Sequence, residues 1–142
     1  MGQGTELRVP ADSRYIVVAK RCASALASVA GFDVESVDEL TIAVAQACEN
    51  AIDCLQRAGA LAGEVRLSFK LEAKSLEVTV KSTVNRDAEL VARARAAQEA
   101  ASLAASTDLA LRLMGLLVDD HSYRIDERTG GLRVRLTKYR VS

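Results

Sequence analysis

Gln46 and Asn50 come nearest, by residue type and spacing, to a chemical site in this chain. They stand four positions apart, about one turn of a helix, so both side chains leave the same face. An amide takes up no proton near neutral pH, so Gln46 cannot act as a general base. Glu49 precedes Asn50 by one residue and should point about 100° round the helix from it. Read from the residues alone, Gln46 and Asn50 are two polar positions on a helix edge. His121 follows Asp119 and Asp120, but three polar residues at a helix-to-strand turn are ordinarily solvated rather than metal-binding. Cys22, Cys48 and Cys54 are odd in number, form no CxxC and have no partner histidine nearby. They read as small hydrophobes in a reduced compartment rather than as a zinc or redox site.

The elements that would position these residues follow from hydrophobic periodicity. Glu6 to Val9 is a strand stopped by Pro10, and Asp12 or Ser13 can cap the helix that follows. Ile16, Val17, Ala19, Cys22, Ala23, Leu26 and Val29 recur at helical spacing, which predicts a first helix to about Ala30, ended by Gly31. Ser36 and Glu39 form an S-x-x-E capping box, predicting a second helix from about Val37 to Gln56 with Leu40, Ala43, Val44, Ala47, Ala51 and Leu55 inward. Val65 to Leu71 and Leu76 to Val80 alternate apolar and polar residues across a short turn, as a hairpin does. Asp87 to about Ala105 is rich in Ala, Arg and Glu and predicts a peripheral helix with Asp87 at its N-cap. A further helix starts near Asp108 and carries Leu109, Leu111, Leu113, Met114, Leu117 and Val118. Strands near Ser122 to Asp126 and Leu132 to Thr137 flank a turn at Thr129 to Gly131. The order βααββ(α)αββ implies an α+β, two-layer sandwich: a mainly antiparallel mixed sheet with helices on one face.

Composition narrows the function. A chain of 142 residues suits one domain spanning 1–142. Lys and Arg balance Asp and Glu at 19 each, so no global field holds polyanions. With no Trp, two Phe and three Tyr, stacking platforms for single-stranded nucleic acid are nearly absent, and no direct nucleic-acid partner is expected. MGQGTELRVP lacks an apolar signal core and no later run is long enough to span a membrane, so a cytoplasmic protein without a membrane partner is expected.

The element order, together with the helix Asp38 to Asn50 and the segment Asp108 to Asp119, resembles the anti-sigma-factor serine kinases of the GHKL (Bergerat-fold, histidine-kinase-like) ATPase superfamily over almost the whole chain. That family carries a helix of the form LxxAVxEAxxNA, whose Asn coordinates Mg²⁺ on the nucleotide and whose Glu handles protons. Here Asn50 keeps the metal position and Gln46 stands at the Glu position. A family Asp-x-Gly-x-Gly turn binds adenine after a central strand. Here Lys81 to Asp87 follow Val80 without a glycine, and Asp87 comes late. At the family's Gly-Leu-Gly-Leu helix start this chain has Asp108 and Ala110 for the two glycines, which puts a carboxylate and a Cβ where phosphate should approach bare N–H groups. The family's Gly-rich lid corresponds to 86–106, which holds no glycine but does hold Arg93 and Arg95.

The resemblance implies a partner-switching regulator that binds a sigma factor, a STAS-domain anti-sigma-factor antagonist, or both. The changed residues imply a degenerate site: no catalytic residue, a former nucleotide site at Asn50, Asp108 and Ala110, and no cofactor unless Mg-ATP persists with Asn50 as metal ligand. Arg14, Lys20 and Arg21 on the first helix are candidate partner contacts, and a homodimer through the sheet is a further expectation. The alternatives are an active Mg-ATP-dependent serine/threonine kinase acting on the STAS antagonist, and an unrelated α+β interaction domain.

Overall fold

Alternating residues need a surface to bury against, and five alternating segments here find it in one another. The computed structural model describes residues 3–57, 63–84, 114–125 and 131–140. Within them lie strands β1 (Gln3–Pro10), β2 (Gly63–Leu71), β3 (Ser75–Val84), β4 (Asp120–Ile125) and β5 (Leu132–Tyr139), with helices α1 (Ile16–Val29) and α2 (Val34–Arg57). The strands form one sheet in the order β1-β2-β3-β5-β4. All four pairings are antiparallel, so among the described residues the sheet is not mixed. Its inner face carries Val9, Val65, Leu67, Phe69, Leu76, Val78, Val80, Leu132, Val134 and Leu136. The two helices cover that face, and the opposite face carries no described element, giving the α+β two-layer sandwich.

Several boundaries differ from the periodic reading for identifiable reasons. Helix α2 starts at Val34, not Val37, because Asp33 rather than Ser36 is its cap: an Asp33 carboxylate oxygen accepts from the Ser36 N–H at 2.8 Å. Glu39, freed from any capping box, lies 3.5 Å from the Nζ of Lys138. Helix α1 buries Ala19, Ala23 and Ala27, a stripe of small residues that lets it lie close against α2. That choice of face leaves Val17 and Val29 exposed, although both fit an apolar period. Gly31 does end α1, at φ +85, a left-handed conformation that side chains disfavour.

Strand β3 runs to Val84, past the expected stop at Val80, because β2 starts early enough to pair with it. That pairing depends on Gly63, where a Cβ would lie 2.7 Å from the carbonyl oxygen of Thr83 and 2.9 Å from Leu55. Beyond Lys81 the β3–β5 ladder is continued by a side chain. The Ser82 hydroxyl accepts from the Leu132 N–H at 2.7 Å and donates to its carbonyl at 3.3 Å, so this buried polar residue is satisfied.

Met114 and Val118 are buried and Leu117 packs against the core, as the apolar register of that segment requires. The buried Lys138 holds this corner, donating to the Leu117 carbonyl at 2.8 Å while facing Glu39. The expected peripheral helix at 87–105, the helix start at Asp108 and Ala110, and most of the turn before Gly131 fall outside the described residues.

Candidate functional site

One edge of α2, beside its buried face, is polar. Gln46, Glu49, Asn50, Asp53 and Gln56 repeat at three- and four-residue intervals, which a helix gathers into a stripe. With Ser13 and Ile16 they line an open groove of about 410 Å³. The structure therefore brings Gln46 and Asn50 together as their spacing requires. It also corrects the place of Glu49, which lines the same groove: a 100° offset still lets neighbouring residues share the edge of a wide cleft. Ser13, Asp53 and Gln56 are groove residues that sequence reasoning missed, although the i, i+3, i+4 pattern of Asp53 and Gln56 was readable in the helix.

The hydrogen bond inside the pair defines its electrostatics. The Gln46 amide N–H donates to the Asn50 Oδ1 at 3.3 Å, while the Asn50 Nδ2 is buried without a partner. A carboxylate at position 46 would place negative charge beside the Asn50 oxygen, where a cation belongs. The glutamine instead turns the positive end of an amide dipole toward that oxygen. Among the described residues, the charged groups lining the groove are Glu49 and Asp53, both acidic.

Other sequence candidates separate clearly. Asp108, Ala110, Asp87, Arg93 and Arg95 lie outside the described residues. With β3 ending at Val84, Asp87 stands three positions beyond the strand rather than seven, closer to the family's turn position than the shorter strand implied. A carboxylate oxygen of Asp119 accepts from the Tyr139 backbone N–H at 2.7 Å, an edge contact between β4 and β5. No metal-binding cluster of His, Cys, Asp and Glu occurs among the described residues. Cys48 and Cys54 are buried and Cys22 is half-buried, all three free thiols. Burial pushes the Cys48 thiol up to about 12, with the nearby Glu49 charge adding to the effect, so it carries no reactive thiolate near neutrality.

A five-stranded antiparallel sheet covered on one face by two helices, with a polar stripe and its asparagine on the longer helix, is the layout of a histidine-kinase-like ATPase domain. The Histidine kinase-like ATPase domain family matches residues 9–138, and the chain belongs to it. Its relatives include the protein named Serine-protein kinase RsbW in Bacillus licheniformis, 27% identical over 138 residues that cover 94% of this chain and 84% of that protein. The protein of the same name in Listeria innocua is 30% identical, with 94% and 85% covered. That in Bacillus cereus is 25% identical, with 94% and 83% covered. No helix among the described residues is long and apolar enough to cross a membrane.

Proposed function

We propose that this chain is a partner-switching regulator of the anti-sigma-factor type, acting by protein–protein binding with its nucleotide chemistry lost or weak. Its partner is a sigma factor, a STAS-domain antagonist, or both, in the cytoplasm, with neither nucleic acid nor membrane engaged. The single domain acts as a unit and pairs with a second copy. The regulatory setting rests on the resemblance to the anti-sigma-factor serine kinases, and the chain shares its family and most of its length with proteins named Serine-protein kinase RsbW. The observation that carries the loss of chemistry is Gln46 itself, an amide 3.3 Å from Asn50 that offers no proton acceptor near neutral pH. Asp108 and Ala110 support the same reading from the sequence, since both hinder phosphate at the helix start.

A second reading has its own observation. The extension of β3 to Val84 leaves Asp87 only three residues past the strand in sequence, and Glu49 shares the groove with Asn50, which together favour a retained Mg-ATP-dependent serine kinase. Thermal unfolding with and without Mg-ATP separates the two. A site saturated at about a hundred times its Kd stabilises the fold by roughly 2.7 kcal/mol. No shift at millimolar Mg-ATP is expected, and a shift of that size overturns the loss of nucleotide. Capture of the host's sigma factors and STAS proteins on the immobilised chain tests the partner, and failure to retain either class refutes the regulatory reading.

A further inference from the structure

The open face of the sheet holds a feature that neither the groove nor the family accounts for. Strand register places Arg8 opposite Arg66, Arg66 opposite Lys81, Lys81 opposite Arg133, and Arg133 opposite Arg124. Five cationic side chains thus form one unbroken row across all five strands, on the face away from the helices. Glu64 lies 3.4 Å from Arg8 and 3.5 Å from Arg66, but Lys81, Arg133 and Arg124 have no carboxylate partner among the described residues. The Nε of Arg66 is buried without a hydrogen-bond partner. Beside the row's far end, Arg124, Arg133 and Arg135 border a hollow of about 270 Å³. Like charges placed directly opposite one another oppose strand pairing, so the row is an arrangement the fold tolerates at a cost.

We propose that this row is a docking surface for an acidic α-helix of a partner protein, laid across the strands. At about 4.8 Å per strand the row is roughly 19 Å long. That matches three to four helical turns, and carboxylates at i, i+3 and i+4 spacing recur about every 5–6 Å, nearly one per strand. The width of the row selects the occupant. Glu6 and Glu64 lie two residues along their strands from Arg8 and Arg66, about 7 Å away, on opposite sides of the row. Glu77 and Asp120 lie further out. A membrane or a DNA duplex would bring its negative charge over those carboxylates as well, whereas a single helix need not. Tyr139 is the exposed aromatic of this face, too little for a stacked single strand. A second copy related by a two-fold axis through the row would set cation against cation.

The test uses the full chain and a fluorescent helical peptide of about 18 residues with Glu along one face at i, i+3 and i+4 spacing. The comparison ligands are a peptide of the same composition with scattered Glu, a DNA duplex, and phosphatidylserine vesicles. Salt-sensitive binding of the one-faced peptide, weakened about tenfold by K81E/R133E and unchanged by K74E in the β2–β3 turn, is the expected result. The double variant should melt no lower than the wild type, so weaker binding would not reflect unfolding. The proposal is overturned if K81E/R133E binds the peptide as the wild type does, or if the scattered peptide, DNA or vesicles bind as tightly as the one-faced helix. It is also overturned if sedimentation shows the wild type as a dimer that the double variant dissociates, which would give the face to a second copy.

Discussion

Replacing Lys81 with glutamate should stabilise the fold, an unusual outcome for a charge reversal in a central strand. Lys81 sits directly opposite Arg66 on one side and Arg133 on the other, and Glu64 already occupies Arg66 at 3.5 Å. Cross-strand charge pairs are worth roughly 0.2–1 kcal/mol, with like charges costing a similar amount. Arg133 is exposed and Arg66 half-buried with Glu64 already beside it, so a value near the low end is used. Removing two repulsions then recovers about 0.5 kcal/mol, and adding two attractions of equal size brings the gain to about 1 kcal/mol. Lysine and glutamate are both poor strand formers, so intrinsic propensity nearly cancels. For a chain of 142 residues the unfolding entropy is about 0.3 kcal/mol/K, which turns this gain into a rise in Tm of about 3 °C. Calorimetry at low and high salt provides the assay. The rise should be present at 20 mM salt and largely gone at 1 M, where the screening length falls to about 3 Å. A Tm at or below wild type in low salt, or a gain that survives 1 M salt, refutes the electrostatic reasoning.

Two further outcomes follow from single hydrogen bonds. Ser82→Ala leaves the Leu132 N–H and carbonyl without the side chain that satisfies them, and should cost about 1–3 kcal/mol with faster hydrogen exchange confined to the start of β5. Full stability in that variant would mean that another group pairs with Leu132. At Asp33 the Ser36 backbone N–H, followed by the Ser36 side chain, holds the carboxyl below the ordinary carboxylate range. A lowered native pKa contributes stability above the unfolded value that is lost as pH falls through the native one. The Tm difference between wild type and Asp33→Ala should therefore be constant above about pH 5 and shrink toward pH 3. A difference independent of pH would show that the charge of Asp33 plays no part in the cap.

Much of the fold was legible because its signals are local. The alternation of Val65 to Leu71, the helical register of Leu40 to Leu55 and the stop at Gly31 each need only a window of neighbours. Most of the departures involve distant residues. Nothing near Ser36 shows that Asp33 takes the cap, because both are good capping residues by type. The length of β3 is decided by Gly63, far from it in sequence, and the face of α1 by the close approach of Ala19, Ala23 and Ala27 to α2. At the site, the Gln46–Asn50 pair was readable from spacing, but the direction of its hydrogen bond was not.

Charge shows the same division between local and distant information more sharply. A net charge of zero excludes a global field, yet it says nothing about residues 8, 66, 81, 124 and 133, which only strand pairing brings into line. The sheet accommodates such a row because of what lies on its other face. Val9, Val65, Leu67, Val80, Leu132 and Val134 flank Arg8, Arg66, Lys81 and Arg133 along their strands and are buried in the core. Each such side chain contributes about 1.5–3 kcal/mol, several times the repulsion between a pair of opposed exposed charges. Burial on the inner face fixes the register, and the outer face inherits whatever that register places side by side. A one-residue slip of β3 would break the row, but it would also turn Val78 and Val80 to solvent, a far larger loss. The cationic line is therefore held in place by the hydrophobic core behind it and not by any attraction among its members.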